Sequence, residues 1–251
     1  MKRTIRLKEL RPNIEKTYTP DPSYIKKRPK LDPEEAFIVK TDKDGNQISA
    51  YGNSSQNRIY FIGGSTVESI YSRQSCRPHS ILEKNLVTNG YNYKVLNLGV
   101  SGSQLVNIAN LLISKVAKDP GQTILLALPT NDAACLQFED KYWNNHKSYA
   151  TLLPADGKNI KHTQPIDLNT YSRALRLIKN ICQIYDFKLI IISSSYSGIN
   201  EPVELLNKFA KKFCNENNIP FINIESELRE KKISFMMTYT FFLMGVFFMR
   251  S

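Results

Sequence analysis

Arg58-Ile-Tyr-Phe-Ile62, followed at once by Gly63-Gly64-Ser65-Thr66-Val67-Glu68-Ser69, is the stretch on which the fold of this chain turns. Five β-prone residues bounded by a Gly-Gly pair read as a buried strand, and Val67, Ile70 and Tyr71 then recur at helical spacing. Ser65 therefore stands at a strand-to-helix turn. In open α/β sheets ligands bind beyond the carboxyl ends of the strands, and a helix N-terminus offers free backbone N–H groups to an anion. A serine there is placed to act as a nucleophile with oxyanion donors nearby. It is equally placed to be a helix N-cap, a position for which serine is often chosen.

Working outward, strand and helix patterns alternate. Lys94–Leu98 is a second strand, ending in Gly99-Val-Ser-Gly102, and Thr123–Leu128 is a third, ending in Pro129-Thr-Asn131-Asp132. Lys188–Ile192 and Pro220–Ile224 are the fourth and fifth. Helical patterns cover 66–87, with an interruption near Pro78, then 105–116, 171–185 and 202–217. Continuous apolar strands between helices predict an α/β fold, a three-layer α/β/α sandwich with a parallel sheet of about five strands. Residues 133–168 are long, polar and aromatic-bearing, with Tyr142, Trp143 and Tyr149; a connection of that length is usually functional, such as a lid or substrate-facing insertion. Residues 1–57 read as a basic arm and a hairpin turning at Asp42-Lys-Asp-Gly-Asn46.

Composition bounds the rest. A chain of 251 residues, 41% hydrophobic, buries one substantial core. The formal charge is +11, and ten Lys/Arg against three Asp/Glu within residues 1–30 carry +7 of it. The folded body is thus only mildly basic. With no aromatic-interleaved basic helix, nucleic acid is not an expected partner. Cys76, Cys135, Cys182 and Cys214 show no metal-ligand spacing, and the last two fall in helical patterns as small buried residues. That usage fits a reducing compartment. The N-terminus has charge without an apolar segment and so no secretory signal, which predicts a cytoplasmic protein.

Three strand ends, Gly63-Gly64-Ser65, Asn97 to Gly102 and Thr130-Asn131-Asp132, fall at one edge of a parallel sheet. In order and spacing these blocks resemble the SGNH hydrolase superfamily, the GDSL-like esterases, over about residues 58–224. The resemblance implies a flavodoxin-like SGNH fold, Ser65 as nucleophile, and Gly102 and Asn131 as oxyanion donors beside the Ser65 amide. It implies no cofactor and no metal. Gly64 stands where the family has Asp, and Pro129 where its third block has glycine. The larger departure concerns the base. The family places Asp-x-x-His after the last strand, whereas no histidine follows His162 here. His79, His146 and His162 are expected in exposed or locally bonded structural roles.

From Ile233 the composition changes to a nearly charge-free apolar run ending at Met249. Back-translated and read from the third base of the Phe235 codon, it encodes Tyr or His, Asp, Asp, an aliphatic residue, and His or Tyr. Gly follows at family-like distance, so Asp-x-x-His is compatible with a shifted frame. The expectation is an SGNH-like domain over 58–230, then an aberrant tail over 231–251, frameshifted or truncated near Lys231-Lys232, in a chain whose activity is impaired. The rival reading is a C-terminal membrane anchor, since the run has about the minimum spanning length; membrane contact would then be made by the tail or the basic arm. The expected substrate is a small acyl ester, with carbohydrate O-acetyl groups favoured by family analogy. The alternatives are an O-acyltransferase of polysaccharide modification, a non-catalytic binding module on the same fold, and a phosphate or nucleotide binder. The last lacks both GxGxxG and a P-loop.

Overall fold

The computed structural model describes residues 2–26, 36–158, 160–161, 165–195 and 200–224. The apolar tail expected over 231–251, with the shifted-frame and membrane-anchor readings of it, and His162 lie outside them.

Five strands build the centre: β1 (Arg58–Ile62), β2 (Lys94–Asn97), β3 (Thr123–Ala127), β4 (Lys188–Ile192) and β5 (Phe221–Ile222). They form one wholly parallel sheet in the order β2-β1-β3-β4-β5. This is the doubly wound, flavodoxin-like order, in which the chain reverses direction across the sheet at β1 and β3. The strands read as apolar runs because both faces are covered. Tyr60, Ile62, Leu96, Ile124, Leu126 and Ile191 share one cluster with helices α3 (Leu105–Leu111), α5 (Leu168–Ile184) and α6 (Glu201–Glu216). Ile59, Phe61, Val95, Leu125 and Ile190 form a second cluster with Leu82 and Leu86 of α2 (Pro78–Thr88). Cys182 and Cys214 are buried, as their helical positions imply, and all four cysteines are free thiols.

Helix boundaries follow local chemistry. Pro78 opens α2, where its missing N–H is no loss. The Asp167 carboxylate accepts from the Thr170 amide at 3.0 Å and caps α5, and Asn200 caps α6 through Val203 N at 3.2 Å. The helix expected over 66–87 is divided. A single turn, α1 (Ser65–Glu68), stops at Ser69, which is left-handed at φ 47° and whose hydroxyl donates back to the Thr66 carbonyl at 2.6 Å. A 3-10 turn at Gln74–Cys76 then precedes α2. The apolar spacing across 67–71 promised continuity, and the local side-chain bond ends it.

The N-terminal residues lie against this body. Glu15–Tyr18 pairs antiparallel with Phe37–Lys40, and Asp42 accepts from the amides of Asp44 and Asn46 at 2.9 Å each to turn the chain. Gln47 then exchanges backbone bonds with Asn97 of the edge strand β2 at 2.9 and 3.2 Å. Thr4–Ile5 pairs antiparallel with Leu152–Leu153 of the 133–168 insertion, strapping the first residues across it.

Candidate active site

Two close contacts set the floor of the site. A Cβ on Gly63 would stand 2.5 Å from Val67 Cγ2 and 2.9 Å from the Ala127 carbonyl, and one on Gly99 would stand 2.4 Å from the Glu68 amide. Any side chain would hold α1 off the ends of β2 and β3. With both bare, the backbone crosses from block to block: Leu98 N donates to Phe61 O at 2.8 Å and Val100 N to Gly63 O at 3.2 Å.

Ser65 is the first residue of α1, and it is exposed. The N-cap is Gly64, with no side-chain capping bond, so capping is not what this serine does. Asn131 is the first residue of α4 (Asn131–Cys135), and its Nδ2 donates to the Ser103 carbonyl at 3.0 Å, linking the third block to the second. The same Nδ2 lies 3.4 Å from where a Gly64 Cβ would stand, linking the third block to the first. That is an ordinary contact distance, so glycine at 64 is not sterically required. Gly102 has φ +77°, the left-handed region where a side chain is strained. A Cβ there would meet Lys8 Nζ at 2.8 Å and the Ser148 carbonyl at 3.1 Å. The three strand ends thus converge, with Ser65, Gly102 and Asn131 brought to one edge.

The surroundings contain groups that the sequence did not single out. Lys8 is 8% exposed, and its ammonium donates to Ser101 O at 3.2 Å and Ser148 O at 3.0 Å. Burial, then the charge of Arg6, lowers its pKa to about 8, while the attraction of Glu68 opposes them. Glu68 is itself buried and accepts from both the amide (2.9 Å) and the hydroxyl of Ser101. Burial pushes its carboxyl above the usual range, and the Ser101 bonds pull it back. Glu68 and Lys8 hold the 101–102 turn from opposite sides. Basic-arm composition concealed Lys8, which is brought here by the strand pairing between 4–5 and 152–153 and by the Arg6 bonds to Thr151 and Lys147.

Behind Asn131, Asp132 is fully buried. It accepts from the Tyr142 hydroxyl and from the Leu105 amide at 3.2 Å, and its other oxygen has no partner among the described residues. Burial raises its carboxyl to about 7. His79 is fully buried: its Nδ1 meets Asn97 Nδ2 at 3.1 Å and its Nε2 meets the Ile48 carbonyl at 3.3 Å. Burial lowers its pKa to about 3, so the ring is neutral and structural. His146 accepts at Nδ1 from the Ser148 amide at 3.1 Å and stacks on Tyr149, with ring centroids 4.6 Å apart. Among the described residues no group of three or more His, Cys, Asp or Glu side chains is placed to hold a metal ion. Among them, too, no helix is long and apolar enough to cross a membrane.

Solved structures with a similar architecture include lipolytic G-D-S-L family proteins and acetylxylan esterases. One is a member of the lipolytic G-D-S-L family from Veillonella parvula, with TM-score 0.52 and 15% identity over 77% of this chain and 99% of that one. Another is an acetylxylan esterase from Geobacillus stearothermophilus, with TM-score 0.51 and 15% identity over 68% of this chain and 78% of that one. The chain therefore has the SGNH-hydrolase fold. No protein-family model and no curated protein sequence matches it.

Proposed function

We propose that this chain is an SGNH-type serine esterase of small acyl esters, with O-acetyl groups on carbohydrate as the favoured class. The observation that carries the reading is the convergence at Asn131, whose amide is bonded to Ser103 at 3.0 Å and sits 3.4 Å from the Cβ position of Gly64, beside an uncapped, exposed Ser65. In this reading Ser65 Oγ attacks the acyl carbonyl, and the amides of Ser65 and Gly102 and the second N–H of Asn131 receive the oxyanion. The alcohol leaves with a proton, and water then releases the acyl group from Ser65. A sugar hydroxyl in place of that water would make the same acyl-enzyme a transferase.

Neither His79 nor His146 is disposed to serve as the base: one is enclosed between Asn97 and Ile48, the other is stacked within the insertion. In our reading the base belongs to the Asp-x-x-His stretch that the shifted frame of the tail would encode, and the chain as written is impaired. The acetylxylan esterase among the structural neighbours is what favours carbohydrate esters.

The test is mass spectrometry after treatment with a fluorophosphonate, on this chain and on a variant whose tail is read in the shifted frame. The expected result is an adduct on Ser65, slow in the first and fast in the second, with turnover of 4-nitrophenyl acetate by the second. Absence of a Ser65 adduct from both would overturn the esterase reading and favour a non-catalytic binding module.

A further inference from the structure

Trp143 is the only tryptophan of the chain and is 64% exposed, while Tyr142 beside it is 1% exposed. Leaving a large aromatic face in water is unfavourable. The turn that holds the indole outward is firmly made. Tyr142 is anchored on Asp132, the Trp143 amide donates to the Asp140 carbonyl at 2.8 Å, and Asn144 Nδ2 donates to the Lys141 carbonyl. Lys141 takes a left-handed φ of 49°, a backbone state that persists where surroundings impose it and that clusters at binding sites.

The indole lines a cleft of about 450 Å³ whose other walls include Arg3, Asp140, Asn145 and Pro154. Arg3 comes from the N-terminal strap and the others from the insertion, so the cleft lies at the seam where Thr4–Ile5 pairs with Leu152–Leu153. Asn145 is already committed to Asp156, and Asn144 to the Lys141 carbonyl and the His146 amide, so Asp140 and Arg3 are the charged residues lining the cleft. A flat aromatic face beside one acceptor and one multiple donor suits a pyranose. Its axial C–H face lies on the ring, and its hydroxyls donate to the carboxylate and accept from the guanidinium. A phosphorylated ligand would meet Asp140, and a purely apolar one would leave both charges desolvated.

We propose that this cleft binds an oligosaccharide, with one sugar ring lying on Trp143 and its hydroxyls bonded to Asp140 and Arg3. Through Tyr142 the platform is tied to Asp132, the neighbour of Asn131, and on the esterase reading a glycan held here would present its esters to Ser65. That use of the cleft rests on the esterase reading; the binding does not.

The lone indole makes the experiment direct: its emission is followed while the full chain is titrated with xylotetraose, cellotetraose or chitotetraose. We expect a saturable shift with at least one of them. Asp140→Ala and Arg3→Ala should each weaken it about tenfold, the scale of one charge-assisted bond. Calorimetry should lose its binding heat in Trp143→Ala and keep part of it in Trp143→Phe. Sugar binding by the parent chain with no Ser65 phosphonate adduct would mean that the esterase reading fails while this one stands. Emission unchanged by all three sugars at about 10 mM, or undiminished heat in Trp143→Ala, overturns the proposal, as does a shift produced by peptides and by none of the sugars.

Discussion

The side-chain amide of Asn131 donates one hydrogen to the carbonyl of Ser103 across 3.0 Å, and this bond fixes the direction of the other. A carboxamide has two N–H donors in one plane; with the first committed, the second is aimed without further ordering. Asn131→Ala should therefore slow formation of the Ser65 phosphonate adduct about 100- to 1000-fold, the usual effect of removing one oxyanion donor. In the shifted-frame variant the same loss should fall on kcat for an aryl acetate and leave KM little changed. A loss confined to KM would argue against the assignment.

Lys8 places an ammonium beside Gly102. Below about 8 it is charged, and above that it becomes neutral. The ratio of parent to Lys8→Met adduct rates should be greatest under neutral conditions and fall toward one as pH rises past that value. The stability linkage has its own sign. The folded pKa lies below the ordinary 10.5, so the native state binds fewer protons between about 8 and 10.5 and gains stability as pH rises through that window. A ratio of rates independent of pH would remove Lys8 from the electrostatics of the site.

Gly102→Ala tests the turn itself. The residue has φ +77°, and the new methyl would fall 2.8 Å from Lys8 Nζ and 3.1 Å from the Ser148 carbonyl. Left-handed strain alone is worth about 1–2 kcal/mol. Chemical denaturation should show at least that loss, with increased hydrogen exchange over 101–103 and 146–150 as Lys8 is displaced. Equal stability of the two proteins would show that the turn relaxes.

Two buried groups give opposite pH dependences. His79 has its pKa lowered to about 3 from 6.5, so its contribution to stability is lost as pH falls from about 6.5 toward 3. Asp132 is raised to about 7 from 3.8, so its contribution is complete below 3.8 and is lost as pH rises through 7. Each changes the unfolding free energy by on the order of 1 kcal/mol per pH unit within its window, and the two partly cancel in the parent. Urea unfolding over about pH 4.5 to 8 should therefore show His79→Gln losing stability with rising pH. Asp132→Asn should become relatively more stable as pH rises. Parallel curves for parent and Asp132→Asn would mean that the carboxyl ionises freely in the fold.

Much of the sheet was legible in the chain because each central strand is a short apolar run stopped by small or polar residues, and both faces being covered produces that pattern directly. The convergence of Ser65, Gly102 and Asn131 followed from the same regularity, since each stands just past the end of its strand. What local pattern could not carry was anything decided by distant partners. The apolar spacing after Thr66 promised a longer helix, whereas the Ser69 hydroxyl turns back on Thr66 and Glu68 is drawn to Ser101. Lys8 sat in a run of positive charge that reads as solvated, yet it is buried by a pairing with the insertion. Asp132 ends one block and Tyr142 stands in the insertion, and only the packed insertion makes them a pair.

The strap at Thr4–Ile5 also has a consequence for the order in which the molecule assembles. Lys8 and Ser148 are 140 residues apart, so their contact closes one of the widest loops in the chain and gains nothing until β1 to β3 have formed between them. A two-residue ladder holds that closure. Glu68 and Asn131 can hold the turn at Gly102 from within the sheet, whereas its Lys8 bonds exist only once the two ends of a long loop have met.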